Sequence, residues 1–168
     1  MADIKLHDPI ADSDGAALVE MLFFAYRDFV ADADDMLASQ GFGRAHHRVL
    51  HFVGRSPGMT VAQLLDILRI TKQSLSRVLK ELIAQGYIYQ KEGPEDRRQR
   101  LLYLTAEGEL LWRKLITPQI ARFRDAVRRS GEKDGQLYRE LLLQLVNAEN
   151  RDAVQQWIGR AGQKDRPA

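Results

Sequence analysis

Between residues 70 and 105, ITKQSLSRVLKELIAQGYIYQKEGPEDRRQRLLYLT, hydrogen-bonding and cationic side chains fall into two clusters. Lys72, Gln73, Ser74, Ser76 and Arg77 form a polar front, backed by Leu75, Val78, Leu79, Leu82 and Ile83 at the spacing of one helical side. Further on, Arg97, Arg98 and Arg100 crowd a loop that opens on Gly93-Pro94. Amide, hydroxyl and guanidinium groups at a helix start, followed by an arginine-tipped hairpin, are the chemistry for touching double-stranded DNA at two places.

The rest of the chain offers little competing chemistry. Among 168 residues there is no cysteine, which excludes disulfides, thiolate metal sites and thiol redox switching. Three of the four histidines, His46, His47 and His51, fall in one short stretch. His47 and His51 are four apart and share a helix face, a spacing that binds zinc only with a third ligand. No second cluster of His, Asp or Glu follows at ligand spacing, so no metal site and no cofactor is expected. A phosphate-binding loop and a nucleophile elbow are also missing, and an enzyme is not expected.

Charge supports the DNA reading. Arg44 to Leu104 holds 11 Lys or Arg against 5 Asp or Glu, while the remainder holds 14 against 18. A basic middle between acidic ends fits a nucleic-acid surface on a neutral-to-acidic frame. Hydrophobic residues at 45% and charged residues at 29% are those of an ordinary folded protein. No apolar run is long enough to span a bilayer, and the acidic first twenty residues carry no secretory signal. A cytoplasmic location without membrane association is expected.

The elements that must position these groups follow from caps and breakers. Residues 1–12 read as a flexible arm. Ser13 or Asp14 caps a helix running to about Ser39, with Gly41 past its end and apolar bulk on more than one face. Asp32, Asp34 and Asp35 crowd its far end and read as a solvated acidic face. Arg44 to Arg55 is a second helix, stopped by Ser56-Pro57-Gly58. Thr60 and Gln63 form a capping box for a third. Thr71 caps the fourth, so that two helices meet at a brief turn, as in a helix-turn-helix. Tyr87 to Glu92 and Leu101 to Leu104 read as the strands of a wing. Thr105 caps a long helix in which Pro118 is expected to cause a kink or break near Thr117. A last helix is expected from Lys133 or Asp134 to Ile158, followed by a disordered tail, residues 159–168.

The expected fold is mainly α with a small β-hairpin wing. A winged helix-turn-helix domain, residues 42–104, is flanked by a dimerisation helix at 13–41 and by dimerisation helices at 105–158. The outer helices carry long apolar stripes with too little middle to pack against. Intertwining in a two-fold homodimer would cover them and place two recognition helices about one DNA turn apart.

In this order of elements the chain resembles the MarR family of winged-helix transcriptional regulators. The most specific match is the stretch Asp96-Arg97-Arg98-Gln99-Arg100-Leu101-Leu102-Tyr103-Leu104-Thr105-Ala106-Glu107-Gly108, which is similar to the family's wing signature. Ile70 to Leu82 resembles its recognition helix, and Gly86-Tyr87-Ile88 the step into the wing. The layout matches from about residue 14 to 158, the motifs only between about 44 and 108. The resemblance implies that Arg98 enters the minor groove, with Asp96 holding its guanidinium by a bidentate pair, and that Arg97 and Arg100 meet phosphates. On the helix, Gln73 would read adenine and Arg77 guanine, while Thr71, Lys72, Ser74 and Ser76 grip the backbone. It also implies a candidate small-molecule effector in the cleft between the dimerisation helices and the winged domain, near Phe24, Arg27, His47 and His51.

Other readings of the same residues stay open in the sequence. Asp96 could pair with Arg100 only to shape the loop, and Arg77 could pair with Glu81 on the helix surface. The whole surface could be a winged-helix module that binds an acidic protein partner without DNA. A protein-binding surface should present aromatic anchors where this helix presents short polar side chains.

Overall fold

In a computed structural model, residues 13–131 and 133–163 are described. The arm expected at residues 1–12 and the end of the tail, 164–168, lie outside them. The chain folds as α1 (Ser13–Ala38), α2 (Arg44–Arg55), β1 (Met59–Thr60), α3 (Val61–Leu68), α4 (Lys72–Ala84), β2 (Ile88–Glu92), β3 (Arg100–Leu104), α5 (Ala106–Ser130), α6 (Gln136–Leu145), a 3-10 turn (Ala148–Asn150) and α7 (Arg151–Gln163). The fold is mainly helical with a small antiparallel sheet, ordered β1-β3-β2.

Local chemistry explains three of the helix starts. The Thr60 hydroxyl accepts the Gln63 N–H while the Gln63 side chain accepts the Thr60 N–H, closing the capping box of α3. The Thr71 oxygen accepts from Ser74 N–H at the start of α4, and Thr105 accepts from Gly108 N–H at the start of α5. Between α3 and α4 the turn is made by Arg69 in the left-handed region, at φ 51°. Arg48 of α2 donates to the Leu68 carbonyl, satisfying an orphan acceptor at the end of α3.

One core joins these pieces. Leu37 from the end of α1, Leu50 of α2, Leu64 of α3, Leu75 and Leu82 of α4, Ile88 and Leu102 of the sheet, and Leu115 of α5 are all fully buried. Met59 pairs with Leu102, which adds β1 to the sheet as a third strand beyond the expected hairpin. Outside this core, apolar side chains stand bare. Leu18, Phe23, Leu137 and Leu145 are each more than 60% exposed.

Four expectations about the outer helices change. α5 runs unbroken through Pro118 to Ser130. A proline inside a helix removes one hydrogen bond and crowds the preceding turn, at a cost of about 3 kcal/mol. Here the helix is held on both sides of it. Leu111 and Leu115 are buried before it, and after it the Gln119 amide donates to the Phe29 carbonyl while Phe123 meets Phe29 edge-on. The last helix is divided instead, at Val146, which is extended. Arg151 folds back there to donate to the Val146 and Gln144 carbonyls, and Trp157 beyond it packs edge-on against Phe52 of α2. α7 then continues to Gln163, past the Ile158 end expected for it. At the end of α1, Asp32 and Asp34 are ion-paired with Arg122 and Arg44 rather than simply solvated.

Among the described glycines, Gly108 makes the closest approach, against the residue that leads into β2. A Cβ there would be driven into the Tyr87 carbonyl, a main-chain group that cannot swing aside. Gly108→Ala is expected to destabilise the fold by about 1–3 kcal/mol. Gly159→Ala, in open space on α7, should be neutral or stabilising by up to about 1 kcal/mol. Urea unfolding of the two variants checks both.

Candidate nucleic-acid interface

α4 presents the expected polar front. Leu75, Val78, Leu79 and Leu82 are buried, which leaves Lys72, Gln73, Ser76 and Arg77 on the exposed side. Among the described residues, no hydrogen bond or ion pair holds these four side chains. Thr71 and Ser74 differ from them. The Thr71 hydroxyl is bonded to both the Ser74 N–H and the Ser74 hydroxyl, so these two groups serve the helix cap first.

The wing is shaped by its own backbone. The Gly93 N–H donates to the Gln99 carbonyl and the Gln99 N–H to the Asp96 carbonyl, which folds the loop back on itself. A Cβ on Gly93 would lie 2.7 Å from the Asp96 carbonyl oxygen, so the turn needs glycine. Asp96 Oδ1 accepts the main-chain N–H of Arg98 at 2.9 Å. This corrects the expected guanidinium pair: the carboxylate supports the turn on which Arg98 rides, and the Arg98 side chain is left exposed. Arg100 bonds Glu92 across the sheet at 3.0 Å and reaches the Arg97 carbonyl. It therefore braces the base of the wing, while Arg97 and Arg98 carry the exposed charge at its tip.

Three further residues on the outer face of the wing escaped sequence reasoning. Tyr89 and Tyr103 are paired across β2 and β3, with their rings stacked at 5.4 Å. The Lys91 ammonium lies over both rings, 5.5 and 5.3 Å from their centroids. This cation–π arrangement holds a positive charge at a set place on the sheet. Its only sequence signal was the alternation of Tyr89 and Lys91, which had no visible partner until the register with Tyr103 was known.

The histidines separate into two environments. His46 is buried and spans from α2 to α4. Its Nδ1 accepts the Gly43 N–H at 3.2 Å, its Nε2 lies 2.6 Å from Glu81 Oε2, and its ring stacks on Phe42 at 4.6 Å. Glu81 thus pairs with His46 and not with Arg77. A weak sequence signal existed, because His46 stands at the third position of α2, where a capping box places Glu or Gln. His47 and His51 lie one turn apart on α2. Burial pushes His51 down to about 4, with His47 and Arg55 adding repulsion. His47 is lowered by burial as well, against the pull of Asp34.

The four residues expected to hold an effector fall into two pairs, Phe24 with Arg27 on α1 and His47 with His51 on α2, and no described contact joins one pair to the other. Arg27 is engaged along α1, paired with Asp28 at 2.8 Å and lying over the Phe24 ring. The described clefts are elsewhere, at the turn between α5 and α6. The larger has a volume of about 630 Å³ and is lined by Phe123, Arg124, Val127, Tyr138 and Arg139 among others. No group of three or more His, Cys, Asp or Glu among the described residues can hold a metal. No described helix is long and apolar enough to cross a membrane.

Comparison with known proteins points one way. Residues 40–99 match the family model described as the MarR family. The chain is 43% identical over 129 residues to the HTH-type transcriptional regulator PetP of Rhodobacter capsulatus, covering 77% of this chain and 78% of that protein. Among solved structures it is similar to NadR in complex with 4-hydroxyphenylacetate, with a TM-score of 0.65 and 20% identity, over 88% of this chain and 99% of that one. It is also similar to Streptococcus pneumoniae FabT in complex with DNA, with a TM-score of 0.55 and 19% identity, over 88% and 94% of the two chains.

The lowered His51 has a measurable consequence. An unfolded histidine takes up its proton near pH 6.5, whereas folded His51 does so only at about 4. Between these values the unfolded state binds more protons, so stability is full above the upper value and falls as the pH drops toward the lower. The slope from this one group is at most about 1.4 kcal/mol per pH unit. Denaturant unfolding at a series of pH values should show a shallower acid slope for His51→Gln than for the parent protein.

Proposed function

This chain belongs to the MarR family of transcriptional regulators, and on that premise we propose that it acts as a homodimer that reads operator DNA. α4 lies in the major groove, where Gln73 and Arg77 reach base edges and Lys72 and Ser76 meet the backbone, with Thr71 and Ser74 at the helix cap. The wing tip follows the adjacent strand, with Arg98 in the minor groove and Arg97 on phosphate. Asp96 and Arg100 keep the loop in shape. The observation that carries this reading is the contrast in pairing. The arginines that brace the frame are bonded, while those that face outward, Arg77, Arg97 and Arg98, hold no partner among the described residues.

The exposed apolar side chains of α1 and α6 support the dimer, since a patch of this size on a free surface is costly. Two-fold pairing through these helices puts one α4 at each half-site. A cytoplasmic location follows from work on chromosomal DNA. An effector site at the junction of α1, α2 and α5 is part of the same proposal, near His47 and His51, with Phe24 and Arg27 further along α1. It draws support from two buried polar atoms there that have no partner among the described residues, Asp34 Oδ1 on α1 and Trp112 Nε1 on α5, whose ring lies against Gly54 of α2.

Titration of promoter DNA at several salt concentrations tests the reading. Affinity should fall steeply with salt; Arg97→Ala should lower the slope by about one, and Arg77→Ala should weaken binding by about 1–3 kcal/mol. Arg98→Ala should lose affinity as well; binding at the parent level by that variant, or indifference to salt, would remove the wing from the interface. Sedimentation equilibrium is expected to return a dimer, and a stable monomer would leave the apolar face of α1 unexplained.

A further inference from the structure

We propose that His46 is a positioning residue for DNA reading, which holds Glu81 away from Arg77 and so leaves the Arg77 guanidinium free for the operator. The inference rests on α4 being the helix that enters the groove. Its geometry is independent of that reading and lies in the His46 ring.

The ring is fixed on three sides. Gly43 N–H points at Nδ1, so that nitrogen is an acceptor and the ring proton sits on Nε2. From there it is donated to Glu81 Oε2, across 35 positions of sequence. Phe42 stacks on the ring face, and Phe42 is itself met edge-on by Tyr87, whose hydroxyl donates to Gln40. The His46 side chain is 10% exposed and that of Glu81 42% exposed. The bond is therefore partly shielded from water and held by a ring that cannot turn away.

Glu81 has one natural alternative. On a helix, partners stand three or four positions away. Around Glu81 those positions are Arg77, Val78, Ala84 and Gln85, and only Arg77 is cationic. A released Glu81 would neutralise the one guanidinium on the exposed face of α4. With His46 in place the carboxylate is directed into the scaffold.

The test is a set of operator titrations by fluorescence anisotropy, with folding followed by thermal unfolding of each variant. His46→Gln keeps an acceptor for the Gly43 N–H, as a capping box does, but loses the bond to Glu81; His46→Ala removes both. Either should weaken operator binding by about threefold or more, and adding Glu81→Ala should restore it to near the parent level. In an Arg77→Ala background, His46→Gln should cause no further loss. A loss that persists after Glu81→Ala, one of equal size in the Arg77→Ala background, or no loss at all would each overturn the proposal. If Arg77→Ala alone leaves binding unchanged, the reading of α4 itself fails and this inference falls with it. If Arg77→Ala weakens binding while the His46 variants are neutral or not restored, only the positioning role is lost.

Discussion

Four residues at one corner set the angles between α4, the wing and the long outer helix α5. The Thr105 hydroxyl donates to the Gly86 carbonyl at the end of α4, and its main-chain N–H donates to Tyr87 at the start of β2. The same hydroxyl caps α5 through Gly108. Gly108 in turn lies so close to the Tyr87 carbonyl that no side chain fits between them. α4, the wing and α5 are thus joined through one hydroxyl and the main-chain atoms of residues 86, 87, 105 and 108.

Around that corner the polar groups are sorted by use. Several bracing side chains are engaged within the fold: Arg48 on the Leu68 carbonyl, Arg100 on Glu92, His46 on Glu81. Outward positions on α4 and at the wing tip are not. An exposed ion pair contributes little to stability, so the gain from pairing Arg77 or Arg97 internally would be small. Leaving them unpaired withholds little from the fold and keeps their full hydrogen-bonding capacity for a ligand.

Much of this was legible in the sequence where it depends on neighbours a few residues apart. Thr60, Thr71 and Thr105 each announce a helix because the cap and its target lie within one turn. The polar front of α4 and the arginines of the wing are equally local. What escaped depends on distant partners. β1 is two residues long and exists only through pairing with Leu101 and Leu102. Pro118 is tolerated because α1 packs beside it, and the last helix breaks at Val146 because Arg151 returns to cap it. Asp96 was placed on the right residue but on the wrong atoms, since a side chain and a main-chain N–H of Arg98 are indistinguishable by spacing. His46 was read only as one of a histidine cluster, because Glu81 lies on another helix. The effector expectation had the least local support, and its residues fall into two separate pairs.

The turn before the reading helix has a history that its final shape conceals. Arg69 is the one non-glycine residue with positive φ among those described, a conformation that disfavours a side chain by about 1–2 kcal/mol. Its guanidinium is held by Asn150, 81 positions later in the chain. On a ribosome adding roughly 5–20 residues per second, the turn emerges several seconds before the residue that secures it. Until Asn150 is made, the helix-turn-helix lacks that distant tether.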